Sequence, residues 1–173
     1  MGVFDGVKQQ DINEVEFADL WLEHPDTTVL SASNFTHAHP CDIKWFPNQC
    51  AVRMSRASIL AGIDFSDYPE PMCKGQRTFK RLSYATGAES LATYFIYKFG
   101  KKERKVFIIN RNPTLGQAKK KELMNKKGII FFRNIDGFRG GMGDHIDLWD
   151  GTQTTGGEYF DYVEEIWFWE IKK

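Results

Sequence analysis

The sequence predicts an α+β fold in which N-terminal helices pack on a C-terminal antiparallel sheet. Three observations carry this. Apolar residues recur at helical spacing in the segments before about residue 126, β-branched and aromatic runs separated by glycine-rich turns take over from Gly128, and no steady strand–helix alternation is present to build a parallel sheet. At 173 residues and 20.0 kDa the chain suits one domain, 1–173. Hydrophobic content of 42% with 14% aromatic residues describes a soluble globular protein rather than a disordered one. The 23 basic and 23 acidic residues cancel, which argues against nucleic acid or an anionic membrane as partner. The first residues have no basic segment followed by an apolar run, so no signal peptide is expected, and no apolar stretch approaches the roughly eighteen residues of a membrane span.

Residues 12–23 bring Phe17, Leu20 and Trp21 onto one face behind a cap at Asn13, predicting a first helix ended by His24-Pro25-Asp26. The polar stretch 27–48 reads as a long loop. Asn48 is the expected N-cap of a helix over 48–61 whose apolar positions include Val52, Ile59 and Leu60. Residues 62–76, rich in proline and glycine, predict an irregular surface connection. T-G-A-E from Thr86 is a capping-box pattern, and Leu91, Ala92, Phe95, Ile96 and Phe99 form the stripe of a helix that stops at Gly100. The basic run at 101–105 reads as its solvated end. A strand at 106–110 and a lysine-rich helix from Thr114 to about Lys126, boxed by Gln117, follow. Strands are expected at 128–134, 143–150 and 165–171, with an irregular glycine-rich link over 135–143.

Chemistry centres on Cys50. It falls near the second position of its helix, where unpaired N–H groups and the positive end of the dipole favour thiolate over thiol. A cysteine nucleophile needs a base, usually an imidazole, and a third polar group to orient it. Of His24, His37, His39 and His145, only His145 sits on a strand entered from a flexible turn. Along that strand His145, Asp147 and Trp149 share one face while Ile146 and Leu148 share the other; with the latter pair in the core, the histidine face can look across at a helix end. His37 and His39 have a chelating spacing near Cys41, yet no fourth ligand is evident, and neither metal nor cofactor is expected. The three cysteines match no zinc-finger spacing; a Cys41–Cys73 disulfide leaving Cys50 free is open to a protein that works outside the cytoplasm. The competing view is a non-catalytic binding module with Cys50 as a small core residue.

In order along the chain, C-A-V-R-M-S-R-A from Cys50, G-A-E-S-L-A-T-Y-F at 87–95, K-K-G-I-I-F-F at 126–132 and G-D-H-I-D-L-W-D-G at 143–151 resemble the type VI secretion amidase effectors of the fourth family. The resemblance covers roughly residues 13–171. It implies a papain-like cysteine hydrolase, secreted without a signal peptide, that acts in the periplasm of target bacteria and cleaves peptidoglycan stem peptides between D-glutamate and diaminopimelate. It also implies a cognate immunity protein and delivery by the type VI machinery. Cys50 matches the nucleophile and His145 the base, while Arg53 and Ser55 match motif positions without an assigned chemical role. The family's third residue is an aspartate about a dozen positions after the histidine, beside two cysteines; here Gly156 and Gly157 stand in that neighbourhood. A hairpin turning at Asp150-Gly151 favours Glu158 as the orienting carboxylate, with Asp147 and Asp161 as alternatives. The oxyanion would be held by the Cys50 N–H and a donor from Asn48 or Gln49, with substrate between the loops at 31–49 and 62–76. The same dyad could also run acyl transfer to an amine.

Overall fold

The structure, a computed structural model, describes residues 2–27, 39–76, 82–138 and 140–173. Among these, α1 spans Phe17–Glu23, α2 Cys50–Leu60, α3 Ala88–Phe99 and α4 Pro113–Glu122. A short ribbon pairs β1 (Met72–Lys74) with β2 (Ser83–Ala85), and a four-stranded antiparallel sheet has the order β3-β6-β4-β5, formed by β3 (Arg104–Ile108), β4 (Gly128–Phe138), β5 (Gly141–Trp149) and β6 (Val163–Glu170). The α+β arrangement with a C-terminal antiparallel sheet follows the expectation from the sequence.

Helix starts are where local chemistry departed from the patterns read in the sequence. The helix expected over 12–23 splits, because the Asp11 carboxylate accepts the Asn13 N–H and closes a 3-10 turn at Ile12–Glu14 before an extended Val15. Gln49, not Asn48, caps α2, and it does so without a side-chain bond to the free N–H groups. Its amide is used in the other direction, donating to Cys41 O at 3.2 Å and Phe46 O at 2.5 Å. The entering loop is thereby fastened to the helix start. Ala51, Val52, Met54, Ser55, Ala57 and Ser58 form the buried face of α2, whereas Leu60 is exposed. Gly87 caps α3, so the box at Thr86 does not form. Asn112 caps α4 through the N–H groups of Thr114 and Leu115 with a proline in the first turn, and Gln117 donates to Asp161 instead of closing a box.

Segments expected to be irregular are partly ordered. Within 62–76, β1 pairs with β2, and the ribbon is tied to α2 by Ala85 N–H donating to Ser55 Oγ at 3.0 Å. This gives Ser55 a structural task. Strands β4 and β5 run on to Phe138 and Gly141 with register shifts, Asn134 adopting φ 55° in the bulge and its N–H donating to Asp144 Oδ1. Cys41 and Cys73 form a disulfide buried beside Val52 and Tyr84, and Cys50 is free.

The sheet is covered on both faces. Ile129, Phe131, Ile146, Leu148 and Trp169 pack against α1, α2 and α3, while Ile130, Phe132, Trp149, Ile166 and Phe168 pack against Phe160 and Leu123. Burial of this order, worth about 25 cal/mol per Å² of apolar surface, is what holds the helices to the sheet. β5 is an edge strand and α2 packs against it, which sets the first turn of α2 beside the histidine strand.

Candidate active site

Cys50 is the first residue of α2 and is 9% exposed. The first-turn position leaves its N–H without an intrahelical acceptor and puts the sulfur at the positive end of the helix dipole. His145 comes from the middle of β5, opposite Phe132 on β4. Its Nε2 lies 2.9 Å from Asp147 Oδ2, and Cys50 stands close enough to its ring to raise the imidazole's pKa. With Nε2 committed to the carboxylate, Nδ1 is the nitrogen left for the sulfur. Burial works against a charged imidazole here, but the bonds and negative charges of Asp147 and Cys50 outweigh it and push the His145 pKa up to about 10.

Asp147 is buried and well supplied with donors. Oδ2 accepts the Gly156 N–H at 2.6 Å in addition to the imidazole, and Oδ1 accepts the Leu148 N–H at 3.0 Å. The histidine face of β5 is therefore not free, as the alternation had led us to expect: Asp147 and Trp149 are buried on it, and Tyr159 stands edge-on to the His145 ring at 5.1 Å. The sulfur and imidazole open onto a cleft of about 410 Å³ whose other walls include His39, Asn48, Arg53, Phe138 and Tyr159. Its second wall is thus the β4–β5 hairpin with Tyr159, rather than the 62–76 segment. A larger hollow of about 920 Å³ over α1, floored by Phe17 and Trp21 and rimmed by lysines, contains neither cysteine nor histidine.

A family model described as "Type VI secretion system (T6SS), amidase effector protein 4" matches residues 46–169. The chain belongs to that family. Membership makes it an amidase effector of type VI secretion, in a family of antibacterial peptidoglycan amidases. Among solved structures it is similar to the type VI effector Tae4 from Enterobacter cloacae, at 19% identity and a TM-score of 0.64, with 91% of this chain and 97% of that one covered. The Tae4–Tai4 effector–immunity complex from Enterobacter cloacae aligns at 17% identity and a TM-score of 0.63, covering 91% and 99%. The Tae4/Tai4 system of Salmonella typhimurium aligns at 19% and 0.59, covering 95% and 99%. At these identities the likeness is one of fold. No curated protein matches.

Against the family's pattern, the carboxylate beside His145 is Asp147. Glu158, which the sequence favoured, does not reach the imidazole: its Oε2 lies 2.7 Å from Lys120 Nζ. Asp161 accepts from Gln117 Nε2 at 2.6 Å. The turn at Asp150 forms as expected, with Asp150 N–H donating to Gln153 O and Thr155 N–H to Leu148 O, but it delivers Gly156 to the site. A Cβ on Gly156 would lie 2.8 Å from Asp147 Oδ2 and 3.7 Å from His145 Cε1. Gly156→Ala is therefore expected to retain the fold and lose about tenfold in amide cleavage through a displaced Asp147; thermal unfolding and turnover measured on the same preparation check this.

Other residues singled out in the sequence have different tasks. Arg53 ion-pairs with Asp26 at 3.2 Å and lies 3.4 Å from His39 Nε2. Gln49 has its side-chain N–H groups on backbone carbonyls, which removes it as an oxyanion donor and leaves the Asn48 amide on the cleft wall. Cys41 is held in the disulfide, so it is not available as a partner to the H-A-H pair, of which His37 lies outside the described residues. Tyr159 and His24 went unrecognised. Tyr159 follows a glycine-rich turn with no periodic signal, and His24 read only as a helix terminator.

Proposed function

We propose that Cys50, His145 and Asp147 are the catalytic residues of a cysteine amidase acting on peptidoglycan stem peptides. The observation that carries this is one imidazole bonded to a buried carboxylate and opening, with a free cysteine at a helix start that raises its pKa, onto the same cleft. A nucleophile at a helix N-terminus facing a histidine on an antiparallel strand is the arrangement of papain-like hydrolases, and it supports placing the chain among them.

In this mechanism the reacting form is the Cys50 thiolate beside a protonated His145. The Cys50 sulfur adds to the amide carbonyl carbon, forming a C–S bond and placing negative charge on the carbonyl oxygen. The Cys50 N–H and the Asn48 side-chain amide face that oxygen and stabilise the charge as it develops. His145 donates its proton to the amine nitrogen as the C–N bond breaks, leaving a thioester. The neutral imidazole then takes a proton from water, hydroxide adds to the thioester, and collapse releases the acid and restores the thiolate. Asp147 keeps the imidazole oriented through both halves of the cycle.

The scissile bond is that between D-glutamate and diaminopimelate, the encounter takes place in the target cell's periplasm, and a cognate immunity protein blocks the cleft. Tae4 from Enterobacter cloacae and from Salmonella typhimurium have each been solved with a Tai4 immunity protein, which supports the last point. Muropeptide mass spectrometry after incubation with purified sacculi tests the reading. Products ending in D-glutamate, paired with fragments bearing a free diaminopimelate amine, are expected. Intact stems, or cleavage at another bond, would overturn it. An added amine acceptor appearing in the product would redirect the assignment to acyl transfer. Asp147→Asn is expected to lower kcat by roughly a hundredfold or more with little change in KM, since it disturbs the base and not the groove; steady-state kinetics on a defined stem peptide measures it.

A further inference from the structure

We infer that His24 is a positioning residue for the triad proposed above, holding the Asp147 carboxylate from the side opposite His145. The inference rests on that triad and adds a fourth member to it from a different part of the chain.

His24 directly follows α1, yet its imidazole is 1% exposed and faces the candidate site. Its Nδ1 accepts the Asp26 N–H at 3.2 Å, which requires that nitrogen to be unprotonated and places the ring proton on Nε2. Nε2 in turn lies 3.5 Å from Asp147 Oδ1 and 3.5 Å from Thr155 Oγ1. The two imidazoles thus flank one buried carboxylate, His145 at Oδ2 and His24 at Oδ1.

The connection also explains what braces the site across the sheet edge. Thr27 N–H donates to His24 O at 3.0 Å and closes the turn that carries His24. Asp26, in the same turn, is ion-paired to Arg53, one helical turn beyond Cys50. A single four-residue turn therefore grips α2, the helix of the nucleophile, and Asp147 on the strand of the base. Any drift between helix and strand would alter the sulfur–imidazole distance, and this turn opposes it.

Neutrality suits the task. Burial lowers the His24 pKa against the attraction of Asp147 and Asp26, with Arg53 and His145 acting in the same direction as burial. A neutral imidazole standing 3.5 Å from Oδ1 and hydrogen-bonded to Thr155 holds Asp147 in place without competing with the His145 imidazolium for its charge. Sequence inspection passes over such a residue because its partner lies 123 positions away, at Asp147 against His24.

The test compares two amide replacements. In His24→Gln the terminal amide nitrogen falls near the position of Nε2 and can still stand against Asp147 Oδ1 and Thr155 Oγ1. In His24→Asn the amide can satisfy the Asp26 N–H but does not extend to Asp147. The pH profile of Cys50 alkylation by iodoacetamide and the kinetics on a stem peptide are measured for both. The wild-type alkylation profile and kcat are the reference for both variants. His24→Asn should shift the acid limb upward by about one pH unit and lower kcat about tenfold with KM nearly unchanged. His24→Gln should stay within about threefold of wild type on both. If His24→Asn keeps the wild-type profile and kcat, His24 merely fills space and the inference is overturned. If Cys50→Ala keeps the wild-type kcat, the triad is wrong, which is a distinguishable result.

Discussion

Replacing Cys50 with alanine is expected to abolish amide cleavage, by a factor of about 10⁴ or more, while the protein remains folded. The side chain is small and stands at the cleft, so its truncation opens little space in the core, and the α2 start is held by the Gln49 amide on Cys41 O and Phe46 O rather than by the sulfur. The same variant should reveal the coupling of the pair. Cys50 is one of two groups that raise the His145 pKa to about 10, and Asp147 is the other. In Cys50→Ala the His145 value should drop yet stay above the ordinary 6.5, as read by NMR of the ring carbons. Because the folded value is raised, proton binding at His145 stabilises the fold fully below about pH 6.5, and that stabilisation fades as pH climbs through about 10. In the alanine variant it should fade at lower pH. His24 acts with the opposite sign: its lowered folded value means that the unfolded chain takes up a proton first, so stability falls as pH drops below 6.5.

Asp67→Ala should cause the largest loss of stability without touching the site. Lys98 on α3 is 1% exposed, and its ammonium lies 3.0 Å from Asp67 Oδ2. Asp67 also accepts from Tyr94 OH at 2.5 Å and from the Lys8 N–H at 2.7 Å. Removing the carboxylate strands a buried cation, whereas the Tyr94 hydroxyl keeps an acceptor in Asp64 O at 2.7 Å. Breaking one side of such a pair costs about 3–5 kcal/mol, and the lower end applies because Asp67 keeps some solvent contact. For a chain of this length that is a fall of roughly 6–12 °C in Tm. Pairing Lys98→Met with Asp67→Leu should recover most of it, since two apolar groups need no partner. A single-variant loss below about 1 kcal/mol would mean that water solvates the ammonium and that the ion pair does not matter.

Element types and the first two candidate site residues, which the structure brings to one cleft, were legible in the sequence because each has a local signature. The stripe from Leu91 to Phe99 and the aromatic strands announce themselves by period, and Cys50 and His145 stand in motifs whose neighbours share their element. The start of α2 slipped by one residue because Gln49 does something no capping rule describes: it donates outward to Cys41 and Phe46 carbonyls instead of accepting from the helix. Glu158 was favoured over Asp147 for a related reason. Counting residues back from a turn at Asp150 locates the returning backbone, but it does not show that Lys120 on α4 neutralises Glu158 or that Gly156 offers its N–H to Asp147. Both facts depend on how α4 and the 150–160 turn dock on the sheet. His24 was opaque for the same physical reason, its partners being fixed only when α1 and β5 come together.

The central claim is that Cys50 carries the acyl group. Rapid acid quenching of the protein during turnover of a stem peptide, followed by digestion and tandem mass spectrometry, tests it most directly. A thioester adduct on the peptide containing Cys50, with the mass of the L-alanyl-D-glutamyl half of the substrate and absent from Cys50→Ala, is the predicted result. Turnover that proceeds with Cys50 unmodified, or with the adduct on another side chain, would contradict it.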